Sequence, residues 1–269
     1  MPRFTAGIEY DGTDFVGWQT QRSGRSVQST LAAAVSAVAA ERVDIHGAGR
    51  TDAGVHAWRQ VIHFDASAAR TPRQWLLGIN ANLPEDVAVR WVRPAGPEFD
   101  ARRSALSRTY RYSIVPSSTR PVLSRRGAWW LRDSLDLAAM SAAAVCWLGE
   151  HDFSAFRAAG CQSRTANRCL TAVGITGGDS LVMLDFTANA FLYHMVRNLV
   201  GALVHIGRGR APAHWAGELL ASRDRTRAPA TAPARGLTLM NVTYPESCGL
   251  PVDADGACIM RSSELAVRR

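Results

Sequence analysis

Residues 46–57 read HGAGRTDAGVHA, a run in which one carboxylate, Asp52, stands between Arg50 and His56 among three glycines. An acid on such a loop can serve as nucleophile or general base, and glycines let a second backbone come close. Other chemistries fit less well. Residues 49–54 satisfy G-x-x-x-x-G, but Val55 and His56 stand where a phosphate loop needs Lys and Ser/Thr. The dinucleotide pattern G-x-G-x-x-G lacks its third glycine. Asp52 and His56 with His46 or His63 offer metal ligands, yet Arg50 opposes a cation and no H-E-x-x-H is present. There is no G-x-S-x-G elbow and no cysteine beside a histidine. A turn merely capped by Asp52 needs only two to five residues, fewer than this run provides.

Two further segments carry functional residue types. In ANAFLYHMVRNLVGALVHIG (188–207) apolar residues cover most of a helix, and Arg197 lies inside it on a stripe with His194 and Asn198. A desolvated guanidinium needs an anion, so Arg197 either snorkels to solvent or pairs with a distant carboxylate. Asp52 is the favoured partner and Asp185 the nearest competitor. In SRTYRYSIV (107–115) a strand puts Tyr110, Tyr112 and Ile114 on one face and Arg111 and Ser113 on the other. That pattern fits a platform for an unstacked base and equally a pair of core tyrosines.

These residues must be held by a recurring set of elements. Strands are expected at 3–10, 43–46, 60–65 and 87–92, with helices at 26–41 and from Thr71-Pro72 through Ile79. The order is β-α-β-β-α-β. The second part reads similarly: strands at 108–115, 128–131, 169–176, 181–187 and 236–242, a helix through Leu137, Met140, Ala144 and Trp147, and a long helix over 190–206. The expected fold is therefore α+β, as two tandem split βαβ (ferredoxin-like, RNP-like) halves in an extended, mostly antiparallel sheet. PAGPE (94–98) marks the boundary, giving halves 1–98 and 99–245 and a tail extension, 246–269, without periodicity.

The composition narrows the partners. A hydrophobic fraction of 47% argues against disorder, and a net charge of +8 points to a polyanion. All 31 cations are arginine, which forks onto phosphates, although so many alanines also fit a GC-rich coding bias. Arg22, Arg25, Arg157, Arg164, Arg168, Arg208 and Arg210 are candidate phosphate contacts. Five cysteines without a CxxC pair suggest a reducing compartment. The opening residues hold no apolar signal core, and no apolar run spans a bilayer, so a soluble cytoplasmic protein with no membrane partner is expected.

Together EYDGTDFVGWQ (9–19), SVQSTL (26–31), GAGRTDAGVHA (47–57), QVIHFD (60–65), FDARRSALSRTYRYSI (99–114), DFSAFRAAG (152–160), FLYHMVRNLVG (191–201) and ARGLTLMNVTYP (234–245) resemble the tRNA pseudouridine synthase A family. The resemblance implies an isomerase without cofactor or metal, acting on uridines in the anticodon stem-loop of tRNA. It implies two α+β halves around a basic cleft and a homodimer. It places the catalytic aspartate on Asp52, its arginine partner on Arg197, the base-stacking tyrosine on Tyr110 and the arginine beside the flipped nucleotide on Arg50. His56 and Leu237 are implied as further substrate-binding residues. Arg103 departs from the family's usual phenylalanine. RNA binding without catalysis, and nucleotide hydrolysis at Asp52, are the competing readings; the first gives no reason for an acid among arginines and the second lacks its lysine.

Overall fold

The computed structural model describes residues 1–251, so most of the expected tail extension lies outside the described residues. Among the described residues ten strands join in one mostly antiparallel sheet, with helices packed against it. The first part contributes β1 (Arg3–Tyr10), β2 (His46–Gly47), β3 (His56–Asp65) and β4 (Val87–Ala95). The second contributes β5 (Ser107–Pro116), β6 (Trp129–Leu131), β7 (Gly149–Asp152), β8 (Asn167–Gly177), β9 (Val182–Ala188) and β10 (Leu237–Thr243). The strands lie side by side as β4-β1-β3-β10-β5-β9-β8-β7, with β2 on β3 and β6 on β5.

Helix starts follow local chemistry. Helix α1 (Val27–Ala39) is capped by Ser26, whose hydroxyl accepts from the Ser29 N–H. Helix α2 (Pro72–Asn82) has a reciprocal capping box between Thr71 and Gln74, with proline at its first position. These two helices pack together, and Trp75 of α2 packs on Phe4 and Phe64 of the sheet, the three ring centroids lying 5.3–5.6 Å apart. Helices α3 (Leu137–Ala144), α4 (Met195–Gly207) and α5 (Trp215–Ser222) belong to the second part, where buried Trp147 donates to the Ala216 carbonyl at 3.1 Å. No helix among the described residues is long and apolar enough to cross a membrane.

The two parts meet at one seam. Strand β10, last of the described strands, pairs parallel with β3 through Thr238–His56 and Leu239–Ala57, and antiparallel with β5 along its other edge. Leu239 therefore sits opposite both Ala57 and Tyr110. Two strand spacings, about 10 Å, separate the end of the 46–57 run from Tyr110.

Several expectations need correction. The strand expected at 43–46 is reduced to His46–Gly47, because the Val43 N–H goes to the Ser36 hydroxyl and the Ile45 carbonyl to Gln28. Strand β3 starts at His56 rather than at 60, which shortens the loop carrying Asp52 to residues 48–55. The helix expected over 190–206 begins only at Met195, because His194 takes a left-handed conformation (φ +60°) and the Tyr193 carbonyl accepts from Ala158. Phe191 and Tyr193 are consequently loop residues. Strand β7 and helix α5 are additional elements. Arg103 is exposed, its N–H bonded to the Asp100 carboxylate.

Candidate active site

The Asp52 loop is built by its neighbours more than by its own sequence. Ala48 N–H bonds to the Val61 carbonyl at 2.8 Å, and Gln60 donates to the Gly49 carbonyl at 2.7 Å. The Thr51 carbonyl accepts from Trp18 N–H at 3.0 Å, and its hydroxyl shares a 2.8 Å bond with buried Tyr10. Burial pushes the Tyr10 phenol up to about 12, so it stays protonated. Val55 N–H returns to the Asp52 carbonyl at 3.1 Å, closing a turn that needs Gly54 at φ +76°. Gly12 is equally constrained, since a Cβ there would lie 2.0 Å from the Val55 carbonyl oxygen.

Behind the loop lies Arg108. It is buried, and its Nη2 donates to the carbonyls of Ala48 (2.9 Å) and Arg102 (2.7 Å), while Nη1 donates to Asn189 (2.9 Å). Carbonyl dipoles from three segments replace its lost water. Sequence reading missed this role, although the alternation that sets Tyr110 and Tyr112 inward sets Arg108 inward too.

Asp52 meets Arg197 across 145 residues of chain, with Nη1 at 3.0 Å from Oδ2. His194 Nε2 lies 3.4 Å from the same oxygen. Among the described residues Oδ1 has no hydrogen-bond or ion-pair partner. The side chains of Asp52 and Arg197 are 19% and 14% exposed, dry enough to strengthen the pair and open enough for a substrate. Arg197 Nε is fixed by the Ala232 carbonyl at 2.7 Å. Arg197 lies in the first turn of α4 and His194 caps it, where unpaired N–H groups favour an anion. Burial, helped by Arg197 and Arg225 and opposed by Asp52, lowers the pKa of His194 below the ordinary imidazole value. The competing partner Asp185 is taken by Arg111, through bonds of 2.7 and 2.8 Å.

Tyr110 is buried beside this pair, edge-on to Phe191 at 5.2 Å, with its hydroxyl toward Gly49. Burial raises its pKa, with the charges of Tyr10 and Asp52 adding to the shift. Tyr112 is a core residue, its hydroxyl donating to the Pro233 carbonyl at 2.7 Å. Arg50 is exposed at the loop's edge and donates to Gln162 at 3.0 Å. His56 and Leu237 make no bond to the Asp52 carboxylate among the described residues. His56 is buried with both ring nitrogens engaged by the protein, and Leu237 is buried opposite Tyr112. Of the seven arginines proposed for phosphate, Arg25, Arg157, Arg168 and Arg208 bind groups of the protein itself.

An α+β sheet enzyme with a half-buried carboxylate, held through one oxygen by an arginine from a helix of the second part, is the class that fold and site define. A family model described as tRNA pseudouridine synthase matches residues 6–102 and 143–245. The chain is 49% identical over 249 residues to tRNA pseudouridine synthase A of Shewanella amazonensis, covering 93% of this chain and 95% of that one. It is also 49% identical to the proteins of that name from Shewanella loihica (96% and 99% covered) and Klebsiella pneumoniae (93% and 93%). The chain belongs to the tRNA pseudouridine synthase family, and is an isomerase.

Proposed function

We propose that the chain converts uridines in the anticodon stem-loop of tRNA to pseudouridine, with the Asp52 carboxylate as the reacting group. The observation that carries this reading is the one-sided hold on Asp52: Arg197 and His194 both meet Oδ2, which leaves Oδ1 free for a substrate. The reaction breaks the bond from C1′ to N1, turns the uracil, joins C5 to C1′ and releases the C5 proton as N1 gains one. It is redox-neutral and transfers no phosphate, so it calls for neither cofactor nor metal. Oδ1 acts either by attack on C1′, as in a retaining glycosidase, or by abstracting a sugar proton to form a glycal.

The remaining residues take roles consistent with their surroundings. Arg197 fixes the carboxylate. Tyr110 supplies an aromatic face and a protonated hydroxyl; a phenol held above its ordinary pKa is not a ground-state base for the C5 proton. Exposed Arg50 meets the flipped nucleotide and offsets part of the few kcal/mol of unstacking. His56 and Leu237, held inside the protein, act on the substrate through the backbone they position.

The architecture we infer is two ferredoxin-like halves, 1–98 and 99–245. It is supported by their common strand order, β4-β1-β3-β2 in one and β10-β5-β9-β8 in the other. The family reading also makes the molecule a cytoplasmic homodimer, which sedimentation velocity and cell fractionation test. For the activity, tRNA transcripts are treated with wild-type or Asp52→Ala protein and pseudouridine is mapped. Conversion in the anticodon stem-loop by the wild type alone is expected; equal conversion by both removes Asp52 from the chemistry.

A further inference from the structure

An open cavity of about 840 Å³ lies beside the Asp52 loop. Gly54 contributes to its lining, the segment around 120–126 brings Arg120, Arg125 and Arg126, and the turn 233–235 brings Arg235. All four arginines are exposed. Their charges are hardly compensated: Arg126 reaches Asp11 only at 3.8 Å, and Arg125 donates to the Val122 carbonyl. Arg120 and Arg235 make no ion pair or side-chain hydrogen bond among the described residues. Four cations around one concavity repel each other unless an anion enters, and guanidinium forks suit phosphate oxygens.

The backbone of one cavity wall is tied to Arg197, the partner of Asp52, and to Tyr112. The stretch 232–235 is bonded to Arg197 at Ala232 in both directions (2.7 and 3.2 Å) and to the Tyr112 hydroxyl at Pro233 (2.7 Å). His56 Nε2 lies 2.8 Å from the Arg126 carbonyl and 3.2 Å from the Arg235 carbonyl, so one imidazole joins both walls. Its Nδ1 lies 3.1 Å from Gly12 N–H and 3.0 Å from Asp11, which holds the ring from the other side. Gly54, two residues beyond Asp52, leaves the floor without a side chain.

We propose that this cavity binds a phosphodiester of the substrate RNA beside the reacting uridine, with Arg120 and Arg235 as its contacts and His56 as the residue that positions both walls. The inference rests on the proposed action on tRNA and adds a place and a residue set for the backbone. It also gives buried His56, whose ring bonds to Gly12, Arg126 and Arg235, a function: it sets the distance between anchored phosphate and carboxylate without touching the RNA.

The test is the salt dependence of binding to a tRNA transcript. Arg120→Ala with Arg235→Ala weakens Kd severalfold and flattens the slope of log K against log salt by roughly 0.7 to 0.9 for each phosphate that is no longer neutralised. Arg42→Ala, at an exposed arginine that does not line the cavity, leaves both unchanged. His56→Gln keeps a donor for the two carbonyls and retains most of the slope, whereas His56→Ala loses it as the double variant does; thermal unfolding verifies that each is folded. A double variant with the Kd and slope of the wild type overturns the proposal. Asp52→Ala keeps the two readings apart, because it should bind with the wild-type slope and convert nothing: the slope judges the cavity and the conversion judges the carboxylate.

Discussion

Arg111 and Asp185 face each other on adjacent strands β5 and β9 through two bonds, 2.7 and 2.8 Å, which occupy both carboxylate oxygens. Arg197 and Asp52 meet through one bond, 3.0 Å, between a helix of the second part and a loop of the first. The same two residue types thus do different work. A fork-to-fork pair within a ladder uses the acceptor capacity of its acid and pins two strands. A pair joined through one oxygen leaves the other free, and its arginine is held by a backbone carbonyl so that the geometry does not relax. The difference lies in what surrounds each pair, and on the proposed function it separates a structural carboxylate from the reacting one.

Removing the arginines is the most forceful way to break this comparison. Arg197→Ala leaves Asp52 unpaired and the Ala232 carbonyl without its donor, so we expect a fall in conversion of about a hundredfold or more and a loss of about 2–4 kcal/mol in denaturant unfolding. Arg111→Ala should reverse the emphasis: about 1–2 kcal/mol of stability lost, with the single-turnover rate within about threefold of wild type. Tyr10→Phe removes the phenol that fixes Thr51. It should cost about 1 kcal/mol, seen as a lower melting temperature, with a modest change in rate.

The smallest effect expected is one of pH. The pKa of His194 lies below its unfolded value, near 6.5, so in the window just under 6.5 the unfolded chain binds the proton more readily. Its contribution is complete above that window and declines as pH falls through it. His194→Asn tolerates the left-handed backbone and should flatten this part of the stability profile, measured by unfolding at a series of pH values. Equal slopes in both proteins would remove His194 from the linkage.

Much of the site was legible in the sequence because its residues break local rules. An arginine in an apolar helix demands an anion, and Asp52 was the better of two choices; strand alternation put Tyr110 and Tyr112 on one face without deciding between platform and core, and the structure buries both. What sequence could not show depends on partners far along the chain. The late start of α4 follows from His194 turning left-handed, and a continuous apolar pattern conceals it. His56 stands in the same motif as Asp52, yet its partners are carbonyls of Arg126 and Arg235, 70 and 179 residues away. Strand β2 was overestimated because Val43 and Ile45 are apolar and buried, while their backbone bonds go to side chains of α1.

The most direct test sets the two aspartates side by side: single-turnover conversion of uridine in a tRNA transcript by Asp52→Asn and by Asp185→Asn. Asp52→Asn should lose at least about a thousandfold in rate while remaining folded and bound to RNA. Asp185→Asn should convert within severalfold of wild type while unfolding at lower denaturant. Conversion by Asp52→Asn at a rate near the wild type, or an equal loss in both variants, would contradict the assignment of the chemistry to Asp52.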